Sequence, residues 1–223
     1  MKISILILTH NAPRFVYKTI KSLQATSKEG FDYEVIVVDN KSKWITRQLL
    51  KLLKYSKSID KLKYNEKNEW FAKGNNVAST LTDNETTHYL LLNSDVKINS
   101  KEWLKKMCDI FPISGGIVAL GAVTSEPVRA DGYCLMINKW LYDKYKLDEE
   151  FEWWWSVTKL ESQVLHEGLP IYAVENHENL LHHYGGKSGK GFSDAKGMDI
   201  KIEEVKKWFN EQNSEVKIIE NLL

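Results

Sequence analysis

Only two cysteines, Cys108 and Cys134, occur among the 223 residues, and no C-x-x-C pair is present. That excludes a zinc knuckle or a disulfide-stapled fold and points to a reducing, cytoplasmic setting. Excess charge is missing as well: 31 Lys and Arg face 30 Asp and Glu, a net charge of +1. A chain built to neutralise nucleic-acid phosphates would be far more basic, so no nucleic-acid partner is expected. No apolar run approaches the ~20 residues that span a bilayer, and residues 3–8 are too few for a signal-peptide core. Membrane contact, if there is any, is then peripheral. Neither G-x-G-x-x-G nor G-x-x-x-x-G-K-[ST] is present, which removes the main support for dinucleotide dehydrogenase and P-loop chemistry. Nor is there an internal repeat, a low-complexity tract or a linker demanding two independent domains.

What is there suffices for a core: 43% of the residues are hydrophobic and 11% aromatic, and the length suits one domain. Residues 3–8 and 33–38 are short, nearly continuous apolar runs. Each ends in a polar cluster and leads into helical spacing, one stretch opening at Pro13 and the other covering 44–53. A third run near 61–65 precedes a small-residue helix over 74–81, and Tyr89-Leu90-Leu91-Leu92 ends in Asn93-Ser94-Asp95. Further on, 117–124, 133–137 and 171–174 read as strands. Residues 156–167 read as a helix with Thr158 and Glu161 at capping-box spacing. Five of the chain's 12 glycines fall in 185–197, a composition suited to a mobile loop, and a last helix over about 200–210 would pack Ile202, Val205, Trp208 and Phe209. Apolar strands alternating with helices predict an α/β fold, a central, mostly parallel mixed sheet flanked by helices.

In such sheets ligands bind beyond the carboxyl ends of the strands. Asn93-Ser94-Asp95 is a hard-oxygen cluster of the kind that holds Mg²⁺ or Mn²⁺ with substrate phosphates, although alone it is equally a connector whose Asp95 caps the next helix. Asp39 after the second strand and Thr9-His10-Asn11 after the first would face one crevice if those strands are neighbours, and a pyrimidine edge fits there. Taken singly, Asp39-Asn40 is as good an Asx-turn. In the run from Asn65 to Asn76, Lys73 and helix-terminal amides offer positive charge to a diphosphate.

These pieces resemble the family 2 glycosyltransferases, inverting enzymes of the GT-A fold. The resemblance rests on ISILILTHN, YEVIVVDNKS, NEWFAKGNNVA, YLLLNSDVKI, ADGYCLMINKW and LLHHYGGKS, in that order over residues 3 to 188. It implies one GT-A domain, with a nucleotide-sugar half over about 1–100, an acceptor-side half over about 101–190, and a closing loop and helix over 191–223. It implies a UDP- or dTDP-sugar donor, a saccharide acceptor, and glycan or polysaccharide synthesis as the setting. By position, Thr9, Asn11, Asp39, Asn68, Lys73, Asn93 and Asp95 would bind the nucleotide-sugar. Asp95 and His183 would hold Mn²⁺ or Mg²⁺, with His182 the neighbouring alternative to His183.

The chain departs from the family pattern twice. Its Asp-x-Asp element reads Asn93-x-Asp95, and the Glu-Asp pair that opens the acceptor-side helix falls at Ser156-Val157, where no carboxylate stands. An inverting transfer needs a base beside the acceptor hydroxyl. Glu152 just before that helix is the first candidate, although in its acidic run it also reads as a solvated charge. Asp131 is the next, and Glu161 inside the helix completes the set. Trp153 and Trp154 would offer indole faces to an acceptor sugar, and at most two of the three consecutive tryptophans can face one pocket. A nucleotide-sugar-binding protein that has lost its base is the competing reading. A nucleotidylyltransferase would need a Gly-rich, Arg-containing loop after the first strand, which Thr9-His10-Asn11-Ala12-Pro13 is not.

Overall fold

The computed structural model describes residues 1–187 and 194–222. In chain order they form β1 (Lys2–Thr9), α1 (Pro13–Leu23), β2 (Asp32–Asp39), α2 (Trp44–Tyr55), β3 (Lys61–Tyr64), α3 (Trp70–Ser79), β4 (His88–Asn93), β5 (Val96–Ile98) and α4 (Trp103–Asp109). The rest comprises β6 (Ile117–Leu120), β7 (Ala122–Val123), β8 (Arg129–Ala130), β9 (Cys134–Asn138), α5 (Lys139–Tyr145), α6 (Trp155–His166), β10 (Ile171–Asn176), β11 (Leu181–His183), α7 (Ile202–Lys207) and β12 (Val216–Asn221). Eight strands make one sheet in the order β12-β10-β6-β9-β4-β1-β2-β3. Its pairings are parallel except at β9, which runs antiparallel to both β4 and β6.

The middles of the central strands are mostly apolar because both faces are covered. Ile3, Ile5 and Ile7 of β1 point into a core shared with α1, α2 and α4, through Val16, Ile20, Leu50 and Trp103. Leu6 points the other way, into a core with Ala72 of α3, Leu141 of α5 and Val164 of α6. The period-two alternation of a strand sends successive side chains to opposite faces. Each such buried Ile or Leu contributes roughly 2 kcal/mol through water-excluded area. The buried polar pair Ser4 and Glu34 on these neighbouring strands satisfies itself, the Ser4 hydroxyl donating to the Glu34 carboxylate at 2.6 Å.

Several elements differ from the sequence-based expectation. The single strand expected over 117–124 breaks at Gly121, whose φ of +114° turns the chain, so that β7 leaves the main sheet and pairs with β8. Helix α3 starts a turn earlier than expected, because its Phe71 and Ala72 amides are capped from outside by the Glu152 carbonyl at 2.9 and 3.2 Å. The capping box does not form: α6 begins at Trp155, which puts Thr158 and Glu161 inside the helix. The last helix is shorter, Ile202–Lys207; Val205 is buried, whereas Ile202 is exposed. Edge strand β12 has too mixed a pattern to be legible and forms by parallel pairing with β10. Of the loop expected over 185–197, residues 188–193 lie outside the described residues.

Candidate functional site

Polar strand tips converge at one edge of the sheet because β1, β2 and β4 are adjacent and parallel, with Thr9 opposite Asp39 and Leu8 opposite Asn93. The antiparallel β9 brings its start to the same edge, Cys134 opposite Leu92, which sets Asp131, Gly132 and Tyr133 beside Asn93-Ser94-Asp95. The β5–β11 pairing places His183 opposite Val96. Between these tips lies a cavity of about 390 Å³, whose wall includes Asn68, Asn93, Asp95, Asp131, Trp153, Trp154 and His183 from the sequence-based set. That volume suits a small-molecule site. Thr9, Asn11, Asp39, Lys73 and Glu152 are not on the wall.

The turns at this edge are conformationally unusual. Asn11, Ala12, Lys41 and Trp70 follow β1, β2 and β3 with φ between 54° and 58°, a left-handed conformation that costs non-glycine residues energy and concentrates at functional sites. Cross-bonds hold them in place: the Asn11 amide donates to Ser42 Oγ at 2.6 Å, and Lys43 N donates to Asn11 Oδ1 at 2.8 Å. His10, on the cavity wall, contacts the Asn40 carbonyl through Nδ1 at 2.6 Å and Asn11 Nδ2 through Nε2 at 2.9 Å. Those partners select the tautomer with its proton on Nδ1.

Beneath the wall, Asp39 is fully buried. Its Oδ2 accepts from Arg47 Nε at 3.0 Å and Ser42 N at 3.2 Å, so the turn role is real, yet among the described residues Oδ1 has no partner and neither has the neighbouring Thr9 Oγ1. Two orphaned buried oxygens side by side are unusual in a folded protein and mark a place where a ligand donor would be welcome.

Asp95 is 3% exposed. Its Oδ1 lies 3.3 Å from His183 Nε2, and its Oδ2 accepts from Lys187 N at 3.1 Å. Burial pushes this carboxyl up, but the hydrogen bond and charge of His183, with the Lys187 amide, outweigh it and hold Asp95 below the usual carboxylate range. Asn93 Nδ2 also approaches His183 Nε2, at 3.4 Å. The His183 ring stacks on Tyr133, centroids 4.1 Å apart and planes at 19°, while the Tyr133 hydroxyl bonds to His177. Asp95 Oδ1 and His183 Nε2 thus face a common point as carboxylate oxygen and imidazole nitrogen, a donor pair that fits Mn²⁺ or Mg²⁺ with substrate phosphates supplying further ligands. Among the described residues no group of three or more His, Cys, Asp or Glu could hold a metal ion unaided.

The three candidate bases separate clearly. Asp131 is on the wall, and burial pushes its carboxyl up against the opposing charges of His183 and His177. The Glu152 carboxylate instead accepts from Lys196 N at 2.7 Å, while its backbone carbonyl caps α3. Those α3 amides are therefore occupied, and Lys73 pairs with Glu69 at 3.1 Å rather than reaching the cavity. Glu161 is wholly buried, its Oε2 accepting from Ala130 N at 2.8 Å, and desolvation raises its pKa well above the ordinary value. An unfolded glutamate ionises above about pH 4.5, while the folded one keeps its proton, so this contribution is full below that pH and is lost as pH rises. Glu161→Gln, which cannot titrate, should therefore gain melting temperature relative to the wild type between about pH 4 and pH 8. Parallel melting curves across that range would overturn the assignment.

Trp153 and Trp154 both line the cavity. The Trp153 ring meets Trp70 and Phe71 edge-on at 6.2 and 6.3 Å, and Trp154 is 44% exposed. Trp155 is not on the wall, and the Arg129 guanidinium lies over its ring at 5.6 Å. Gly132 is needed at the neighbouring bend, since a Cβ there would come within 2.9 Å of Val157 on α6. Sequence reasoning did not single out His10, Arg47, Trp70 or Tyr133. His10 stood in a strand-tip cluster, and Trp70 and Tyr133 fell inside NEWFAKGNNVA and ADGYCLMINKW, but the contacts that bring these two rings to the cavity are long-range; Arg47, eight residues after the Asp39 it binds, carried no signal.

Comparison with known proteins places this geometry. S. aureus TarS, solved in complex with UDP, superposes with a TM-score of 0.57 at 21% identity, over 74% of this chain and 55% of that one. The mannosyltransferase PcManGT from Pyrobaculum calidifontis, solved with GDP-Man and Mn²⁺, gives a TM-score of 0.64 at 11% identity over 78% and 55%. The chain thus spans about half the length of these solved relatives, and what it shares with them is the GT-A fold. None of the curated proteins matches it. No helix among the described residues is long and apolar enough to cross a membrane. The family model for glycosyl transferase family 2 matches residues 4–167, the span that contains the tips of β1, β2 and β4, Asp131 and α6, and the chain belongs to that family.

Proposed function

We propose that this protein transfers a hexosyl or deoxyhexosyl group from a UDP- or dTDP-sugar to a hydroxyl of a saccharide acceptor, with inversion, in glycan or polysaccharide synthesis. The observation that carries this reading is the meeting of Asp95, His183 and Asp131 on one cavity at the sheet edge where Thr9 and Asp39 leave unpaired oxygens. A pyrimidine ring carries an N–H donor, and Asp39 Oδ1 is an acceptor without one. Asn68 and Asn93 line the same cavity as Asp95 and would contact the nucleotide-sugar there.

Asp95 and His183 would hold Mn²⁺ or Mg²⁺, which when bound supplies positive charge against the leaving diphosphate. The Asp131 carboxylate accepts the acceptor hydroxyl proton as that oxygen attacks the anomeric carbon. The bond from this carbon to the diphosphate oxygen breaks, its electron pair leaves with the nucleoside diphosphate, and the configuration inverts. A carboxyl raised by burial is better matched to that proton than an exposed one. Trp153 and Trp154 supply apolar faces for the acceptor ring.

Thermal shift with a panel of nucleotide-sugars, with and without Mn²⁺, tests the donor assignment. A ligand that binds only the folded state raises the melting temperature. A UDP- or dTDP-sugar should do so most strongly with Mn²⁺ present. Preference for a purine donor, or no shift with any, would sink the assignment, and a shift without turnover across many acceptors would favour a silent binding protein.

A further inference from the structure

Helix α2 presents an unusual outer face. Thr46, Leu50 and Leu53 are buried, but Trp44 is 71% exposed, Ile45 63%, Leu52 66% and Tyr55 89%. Helical spacing puts Trp44, Gln48, Lys51 and Tyr55 on one stripe, with Ile45 and Leu52 beside it. So large an aromatic and aliphatic exposure on one helix needs an occupant.

The charge around the stripe says which. Residues 40–59 contain six basic side chains, Lys41, Lys43, Arg47, Lys51, Lys54 and Lys57, and no Asp or Glu. All five lysines are exposed. Helix α1 packs beside α2 on the same side of the sheet. It adds exposed Arg14, Lys18 and Lys21 with Tyr17, and residues 10–28 also lack an acid. In a chain of net charge +1 this is a sharp local asymmetry.

We propose that this α1–α2 face docks on an anionic lipid bilayer, α2 lying in the interface plane. Trp, Tyr, Leu and Ile on one face with a lysine rim is the composition of an interfacial helix, in which the apolar residues enter the headgroup region and lysine stems reach outward. The same lysines argue against a protein partner, since interface cores are depleted of them. They also argue against a second copy of the chain, which would set two basic stripes against each other. Because α1 and α2 start at the strand tips that carry Asn11 and Asn40, the bound face keeps the cavity's rim near the lipid surface.

Vesicle co-sedimentation tests this, using phosphatidylcholine alone and phosphatidylcholine with phosphatidylglycerol, at low and high salt. The protein should sediment only with anionic vesicles, and less at high salt. Lys51→Glu with Lys57→Glu should weaken binding at least about tenfold. Trp44→Ser with Leu52→Ser should weaken it by a similar factor, both pairs leaving the circular dichroism and the melting temperature unchanged. Four results would overturn the proposal: no binding to anionic vesicles; equal binding to neutral ones; binding to soluble heparin that the Trp44→Ser, Leu52→Ser pair leaves intact; or a dimer in sedimentation velocity that this pair dissolves.

Discussion

Asp131→Asn should lower the transfer rate by roughly a thousandfold while leaving nucleotide-sugar binding within a few-fold of the wild type. The substitution keeps size and polarity but cannot take up the acceptor proton. Because the Asp131 carboxyl faces the cavity and is raised by burial, the acidic limb of the wild-type kcat/KM profile should report its ionisation and should vanish in the variant. Glu152→Gln is the necessary companion. The Glu152 carboxylate accepts from Lys196 N, a bond that the glutamine carbonyl preserves, so transfer should change only a few-fold. If the glutamine variant were dead and the asparagine variant active, the base would be Glu152.

Asp95→Ala should remove both turnover and any Mn²⁺-dependent stabilisation by a nucleotide-sugar. Loss of charge stabilisation at a leaving group commonly costs about a hundredfold to a thousandfold in rate. The variant also frees the Lys187 amide and the ring of His183, which should cost the fold about 1–3 kcal/mol. Circular dichroism and the melting temperature separate that loss from the catalytic one. His183→Ala leaves Asp95 in place, so intermediate Mn²⁺ dependence there, with full loss in Asp95→Ala, would apportion the pair. Unchanged metal dependence in Asp95→Ala would take that residue out of the site.

Much of this architecture could be read from the sequence because the buried strands carry their own signal. Residues 3–8, 33–38 and 89–92 are mostly apolar and each is followed by polar residues, so the sequence located Asp39 and Asp95 at strand ends, while whether they share one edge depended on the strands being neighbours, and Asp39 lies off the cavity wall. What escaped was non-local. Nothing near Tyr133 indicates that its ring will stack on His183, since that contact depends on pairings β4–β9 and β5–β11 between distant segments. Glu152 and Asp131 are likewise indistinguishable as isolated acids; only the fold shows one bonded to Lys196 and the other on the cavity wall. Gly121 looked like a residue within a strand, and its positive φ, which releases β7 to pair with β8, depends on how the chain turns back beside Tyr133.

The reversed direction of β9 carries a consequence for how such a protein can diversify. Asn93 and Asp95 reach the cavity from the outgoing end of a strand parallel to its neighbour β1, whereas Asp131 arrives on the incoming end of a strand fed by the short β7–β8 hairpin. Lengthening, shortening or recomposing that hairpin would re-aim Asp131 and the cavity wall beside it while the parallel strands stayed in register. On the proposed assignment of Asp131 as the base, tolerance for a new recipient hydroxyl can therefore evolve without rebuilding the parallel strands on the other side of β9.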